Sequence, residues 1–152
     1  MRIQYGALPY RITEAGTLEV LLITSRTRRR WIIPKGWPMK GRKPSKSAER
    51  EAYEEAGVRG RVSAKPIGRF VYDKISDEDG RTVPCEVVVF GLKVKRQLKT
   101  WPEAEERELR WLLPACAEAL TDEEGLRPLI VALANKKSLS RYVSADDHAA
   151  DS

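Results

Sequence analysis

A chain of 152 residues is the size of one domain and can bury a real core. With 41% hydrophobic and 33% charged residues it reads as soluble and globular. It has no apolar run long enough to span a membrane and no apolar stretch at its start (MRIQYGALPYRI), so a cytoplasmic protein with no secretory signal and no membrane partner is expected. Lys and Arg outnumber Asp and Glu by 28 to 22, a formal net charge of +6 that suits an anionic partner.

Residues 4–12 are predicted to form a strand that contains Pro9. Leu18 to Thr24 (LEVLLIT) is apolar nearly throughout, which predicts a strand buried on both faces. Arg28 to Arg30 form the tip of a hairpin, and Trp31 to Pro34 is its return strand. Lys35 to Pro44 holds Gly36, Pro38, Gly41 and Pro44 and reads as a loop. Basic residues crowd this window: Arg26, Arg28, Arg29, Arg30, Lys35, Lys40, Arg42, Lys43 and Lys46. Guanidinium forks match phosphate oxygens two at a time and ammonium groups act as point charges. The plainer reading is a solvated, charged hairpin loop.

A helix is predicted from Pro44, whose missing N–H is not needed in a first turn, to about Ala56. Lys43 is a poor N-cap, and Ser45 can serve instead with a slightly later start. Ala48, Ala52 and Ala56 make a stripe of small residues that allows close approach to a sheet, and Gly57 takes the position after the helix where a positive φ is often required. The same helix carries Glu51, Glu54 and Glu55 within an arc of about 100°. Like charges at this spacing repel by a few tenths of a kcal/mol per pair, and a cation removes that cost. Carboxylate oxygens at this density suit Mg²⁺, which takes one or two carboxylates together with waters and substrate phosphates. A solvated Glu-rich face is the alternative.

Beyond the helix, Val62 to Ile75 reads as one or two strands with Phe70 and Tyr72 on one face. Asp77 to Gly80 is a hairpin turn, and Pro84 to Lys95 is a strong strand. Glu108 to Leu113 is a short strand with Trp111 turned inward, and Pro114 to Leu120 is a short helix. Glu123 to Lys137 is the last helix, with Pro128 implying a late start or a kink. The domain therefore occupies residues 1–138, and residues 139–152 read as a tail. Cys85 and Cys116 lie in apolar segments without CxxC spacing and are expected as buried thiols. The single histidine, His148, falls in the tail, which argues against a Ser-His-Asp arrangement or a His-based metal site.

The order strand, glycine loop, acidic helix and glycine stop resembles the Nudix hydrolase family. Gly36, Arg50, Glu51, Glu54, Glu55, Gly57 and Val58 fit the spacing of that family's box. Ala52 is small for the aliphatic position, and Arg42 stands where the box has its first Glu, adding positive charge at the mouth of the site. Pro34-Lys35-Gly36-Trp37-Pro38, the pairing of Thr24-Ser25-Arg26 with Trp31, and that of Trp101-Pro102-Glu103 with Arg110-Trp111 are similar to the diphosphoinositol polyphosphate phosphohydrolase-like branch. The resemblance implies an αβα sandwich with a mixed central sheet. It implies metal-dependent hydrolysis of a diphosphate link in a small anionic substrate, such as a diphosphoinositol polyphosphate or a dinucleoside polyphosphate. Glu51 and Glu55 would hold Mg²⁺ (or Mn²⁺), with a backbone carbonyl near Lys35 or Gly36 as a further ligand. Glu54 is a candidate base or ligand, and Glu103, Glu105, Glu106 and Glu108 are later-loop alternatives. Arg50 is expected to orient a helix carboxylate, and Arg26, Lys35 and Arg42 to meet the substrate. Trp37 either stacks on a base or packs in its loop. Other readings are a pyrophosphatase for ADP-ribose or a nucleoside triphosphate, and a non-catalytic nucleotide or RNA binder. Nucleic acid is not the expected partner.

Overall fold

A computed structural model describes residues 1–76 and 78–137. Asp77, Ser138, the 139–152 segment read as tail, and His148 within it lie outside the described residues. The chain runs β1 (Arg2–Ile12), β2 (Leu18–Thr24), β3 (Trp31–Ile32), β4 (Lys35–Gly36), α1 (Pro44–Ala56), β5 (Val58–Val62), β6 (Gly68–Ile75), β7 (Thr82–Gln97), β8 (Leu109–Leu112) and α2 (Pro114–Leu120). A 3₁₀ turn at Glu124–Leu126 leads into α3, residues 127–137.

The strands form one mixed sheet. Its main path is β3-β2-β1-β7-β5, with β4 on β1, β6 on β7 and β8 on β2. β1 and β7 run parallel at its centre over nine paired positions, from Arg2 opposite Cys85 to Tyr10 opposite Lys93. The pairs around them are antiparallel. Central strands with few polar residues need cover on both faces. Alternate residues accordingly enter two cores. Leu8, Leu22, Val87 and Val89 join Leu126, Ile130 and Leu133 on the α2 and α3 side. Ala7, Leu21, Ile23, Val88 and Phe90 join Ala48, Ala52 and Ala56 of α1 on the other. The expected αβα sandwich with a mixed sheet is the observed architecture. None of the described helices is long and apolar enough to cross a membrane.

Several local expectations need correction. Lys35–Gly36 is not loop but a two-residue strand, because β1 extends past β2 and leaves an edge at Tyr5 and Gly6 for it to pair with. α1 starts at Pro44 with Lys43 as its uncapped N-cap, and Ser45 caps nothing. β5 was not anticipated: Arg59, Gly60 and Arg61 break its apolar pattern, yet Val58 and Val62 reach the α1-side core. Exposed Arg59 and Arg61 sit opposite Arg96 and Lys93, and charges on an outer strand block pairing with another chain. Both cysteines are free, but only Cys85 is buried; Cys116 is exposed, since α2 has a single fully turned-in residue, Ala117.

Gly57 stops α1 as expected, at φ 65°, with its N–H on the Tyr53 carbonyl. A Cβ there would also overlap the Trp101 indole. Gly57→Ala is therefore expected to lose roughly 2–4 kcal/mol, the left-handed backbone cost plus overpacking. Chemical denaturation measures this, and a loss under about 0.5 kcal/mol, the range of an ordinary surface change, would contradict the packing.

Candidate active site

α1 lies across the sheet with its alanine stripe inward, which leaves Glu51 and Glu55 at the margin of the helix, facing Gly36 and the segment between β7 and β8. The absence of a side chain at Gly36 matters here: a Cβ would overlap the Glu51 carboxylate. Glu51 thus rests directly on the β4 backbone. Glu55, one helical turn on, is only 5% exposed. Burial, reinforced by its hydrogen bond to the Glu51 carboxyl, pushes the Glu55 carboxyl well above the usual range. Arg107 and Lys35 pull in the opposite direction without outweighing the burial. A second acid beside a buried carboxyl adds to the cost of ionising it when nothing more positive is present.

Arg107 is the backstop of this pair. Its side chain is 8% exposed and reaches Glu55 Oε1 at 3.5 Å and Glu103 Oε1 at 3.0 Å through Nη2. Nε donates to the same Glu103 oxygen at 3.1 Å, and Nη1 donates to the Thr24 carbonyl at 3.0 Å. The 101–108 segment is tied to the end of α1 at two further points: the Glu103 N–H donates to the Glu54 carbonyl at 3.0 Å, and Trp101 covers Gly57. The loop carboxylates therefore arrive beside the helix carboxylates, with Glu103 inside and Glu105, Glu106 and Glu108 exposed. Glu108 meets β2 through its backbone, its N–H on Thr24 Oγ1 at 2.9 Å.

The remaining sequence candidates divide. Arg50 Nε is 2.8 Å from Glu54 Oε1 and its guanidinium also approaches the Tyr53 ring, so it holds a helix carboxylate as expected. Arg26 stands above the loop carboxylates, 4.0 Å from Glu103 and 3.8 Å from Glu106, with 60% of its side chain exposed. Arg42 is exposed on the turn after Gly41 and makes no ion pair among the described residues. Lys35 is not on the rim. Its side chain is 10% exposed and its ammonium lies 2.9 Å from Glu123 Oε2, over the Tyr72 ring. Tyr72 donates to Gln4 Oε1, and its burial raises the phenol far above its ordinary value. Trp37 carries the Arg2 guanidinium at 4.2 Å, so loop packing describes it better than an open stacking face.

Arg107 and Glu123 had no place in the sequence reading. Arg107 follows Glu103 by four residues in an acidic run, a spacing that marks an ion pair on a turn or helix. Glu123 stands just before a helix where it looks like an ordinary acidic first-turn residue.

The donor set fits a hard divalent cation. The Glu51 carboxylate faces a strand backbone stripped of side chain with the Glu55 carboxyl beside it, and a cation would offset the crowding of the two acids. Among the described residues no group of three or more His, Cys, Asp or Glu side chains is placed to hold a metal ion by itself. An ion held by two carboxylates would need waters and substrate phosphates to complete its shell, as Mg²⁺ does.

An αβα sandwich in which an acidic helix, a glycine backbone and an arginine-backed loop converge presents a carboxylate-rich candidate site. The NUDIX domain family matches residues 5–133, and the chain belongs to the Nudix family. It is 35% identical over 125 residues to Nudix hydrolase 12, mitochondrial, of Arabidopsis thaliana, covering 73% of this chain and 62% of that protein. It is 38% identical over 87 residues to the mouse (Mus musculus) diphosphoinositol polyphosphate phosphohydrolase 3-alpha, 57% of this chain and 48% of that one. The chain thus spans less than two thirds of the length of these relatives. A C. elegans Ap4A hydrolase binary complex has the same fold, with a TM-score of 0.65 at 19% identity over 91% of this chain and 98% of that one.

Proposed function

We propose that this chain hydrolyses a phosphoanhydride bond in a highly phosphorylated small molecule, a diphosphoinositol polyphosphate or a dinucleoside polyphosphate, with Mg²⁺ or Mn²⁺ held by Glu51 and Glu55. The observation that carries this reading is the Glu51 carboxylate lying on the bare backbone of Gly36 beside the buried carboxyl of Glu55. When bound, the ion neutralises charge on the phosphoryl oxygens and acidifies water. In this reading Glu54, partly exposed and oriented by Arg50, or one of the later-loop glutamates, Glu103 among them, accepts a proton from the attacking water. Arg107 compensates charge behind Glu55 and Glu103. Lys35 adds positive potential from below, while Arg42 and the exposed Arg26, held only loosely by Glu103 and Glu106, offer guanidinium groups to the distal phosphates. The match to the mouse relative and the cationic rim support a polyphosphorylated substrate over ADP-ribose or a nucleoside triphosphate.

Phosphate release across a panel of diphosphoinositol polyphosphate, dinucleoside polyphosphate, ADP-ribose and nucleoside triphosphate, with Mg²⁺ and with EDTA, tests it. Turnover is expected to require metal and to favour the first two. Arg26→Ala is expected to raise KM about three- to fivefold for the substrates with most phosphates, in line with one solvent-exposed ion pair. A uniform change across the panel would count against phosphate reading by Arg26. Binding without turnover of any member would replace the enzyme by a non-catalytic binder.

A further inference from the structure

Trp31, Ile33 and Lys35 are alternate residues on the way from β3 into β4, and each turns a polar group toward the same segment, Thr121-Asp122-Glu123. The Trp31 carbonyl accepts from the Asp122 N–H at 3.0 Å and from Thr121 Oγ1 at 3.2 Å. The Trp31 N–H donates to Asp122 Oδ2 at 2.7 Å, and the Ile33 N–H donates to Glu123 Oε1 at 2.9 Å. Among the described residues Glu123 Oε2 has Lys35 Nζ as its one partner, at 2.9 Å and off the directed hydrogen-bond geometry, so charge attraction holds it. Three consecutive side chains thus stand in for a strand along the open edge of β3.

The last of these contacts differs from the others. Glu123 and Lys35 are 6% and 10% exposed, and burying an ion pair carries a desolvation penalty that two apolar residues of the same size avoid. Its contribution is therefore geometric rather than a gain in stability. Lys35 is followed by Gly36, whose backbone carries the Glu51 carboxylate. We infer that Glu123 is a positioning residue of the active site: through Lys35 it sets the height of the Gly36 backbone against Glu51. This rests on the metal-binding role given to Glu51 above. Residues that orient a metal site from behind alter metal affinity about 10–100-fold when changed.

The test is Mn²⁺ affinity of the full chain, by titration calorimetry or EPR, alongside circular dichroism and kinetics. Glu123→Gln keeps an acceptor for the Ile33 N–H but removes the negative charge that faces Lys35. It is expected to bind Mn²⁺ about tenfold more weakly, with kcat recovered at saturating metal. Glu123→Asp keeps the charge with shorter reach and is expected to fall between it and the parent. Asp122→Asn keeps its acceptor for Trp31 and is expected to leave Mn²⁺ affinity unchanged, separating Glu123 from general loosening of the clasp. Should Glu123→Gln not fold, Lys35→Met/Glu123→Gln removes both buried charges and is expected to show the same tenfold loss. Parent-like Mn²⁺ affinity in the folded Glu123 variants, with Glu51→Gln losing it, overturns the positioning role alone. Parent-like affinity in Glu51→Gln as well overturns the metal assignment and the inference with it.

Discussion

Glu55→Gln is expected to remove metal-dependent hydrolysis while leaving the protein at least as stable as its parent. The activity side follows from the chemistry proposed for the pair. Charge neutralisation by a bound cation supplies several kcal/mol to phosphoryl transfer, and about 4 kcal/mol corresponds to a rate loss of about 10³-fold. The stability side follows from burial. The carboxyl of Glu55 is held well above its ordinary range, by desolvation first and by the Glu51 hydrogen bond second. An acid with a raised value in the native state binds more protons folded than unfolded in the interval between the two values, so stability falls as pH rises through it. At neutral pH, without metal, the ionised form is therefore a burden. The Gln amide accepts from Arg107 through its oxygen and donates to Glu51 through its nitrogen, while Arg107 keeps Glu103 and the Thr24 carbonyl. In EDTA the parent is expected to lose stability as pH rises above the usual carboxylate range, and the variant to show a flatter profile. Denaturant titrations at several pH values decide it: a variant markedly less stable than the parent at pH 7 would mean that Glu55 is a stabilising partner of Arg107 first and a ligand second.

Much of this site was legible because it is written in local spacing. The alanine stripe, the three glutamates and Gly57 all belong to one helix, whose period alone sorts them into an inner face, a ridge and a stop. The double-sided burial of β2 was legible as an apolar run without alternation. What escaped depends on contacts between distant parts of the chain. β5 has two arginines and a glycine in five residues, and only its pairing with β7 makes it a strand. Lys35 was counted among the exposed basic residues, yet a carboxylate 88 positions later buries it. Cys116 was placed inside from its apolar neighbours, but a helix of seven residues with one inward position leaves it outside. Arg42 and Arg26 are cationic and open as the charge pattern implied, whereas Arg28 and Arg30 belong to the hairpin tip and Arg29 bonds to Thr24 and the Glu106 carbonyl.

Arg107→Leu is expected to be the most destabilising single change near the site. One guanidinium serves Glu55, Glu103 and the Thr24 carbonyl at once, nearly out of contact with water. Removing one partner of a buried charge pair typically costs about 3–5 kcal/mol, because the charge left behind is neither solvated nor paired. Here Glu55 can keep its proton and Glu103 can turn outward toward Arg26, so the loss is expected near the lower figure, about 3 kcal/mol, with a Tm lower by about 10 °C for a chain of this size. A leucine fills the aliphatic volume but satisfies none of the three acceptors. Combining it with Glu55→Gln separates the contributions. The double variant leaves a neutral amide where the carboxyl stood and is expected to recover about 1 kcal/mol or more, a coupling typical of residues in direct contact. Strict additivity would mean that Arg107 stabilises the fold through Glu103 and Thr24 alone, making it a brace for the loop rather than the counter-charge of Glu55. Arg107→Lys, which keeps the charge but has no fork to span two carboxylates, is expected to fold better than the leucine variant. It should still hydrolyse more slowly than the parent, because a single ammonium can face Glu55 or Glu103 but not hold both in register.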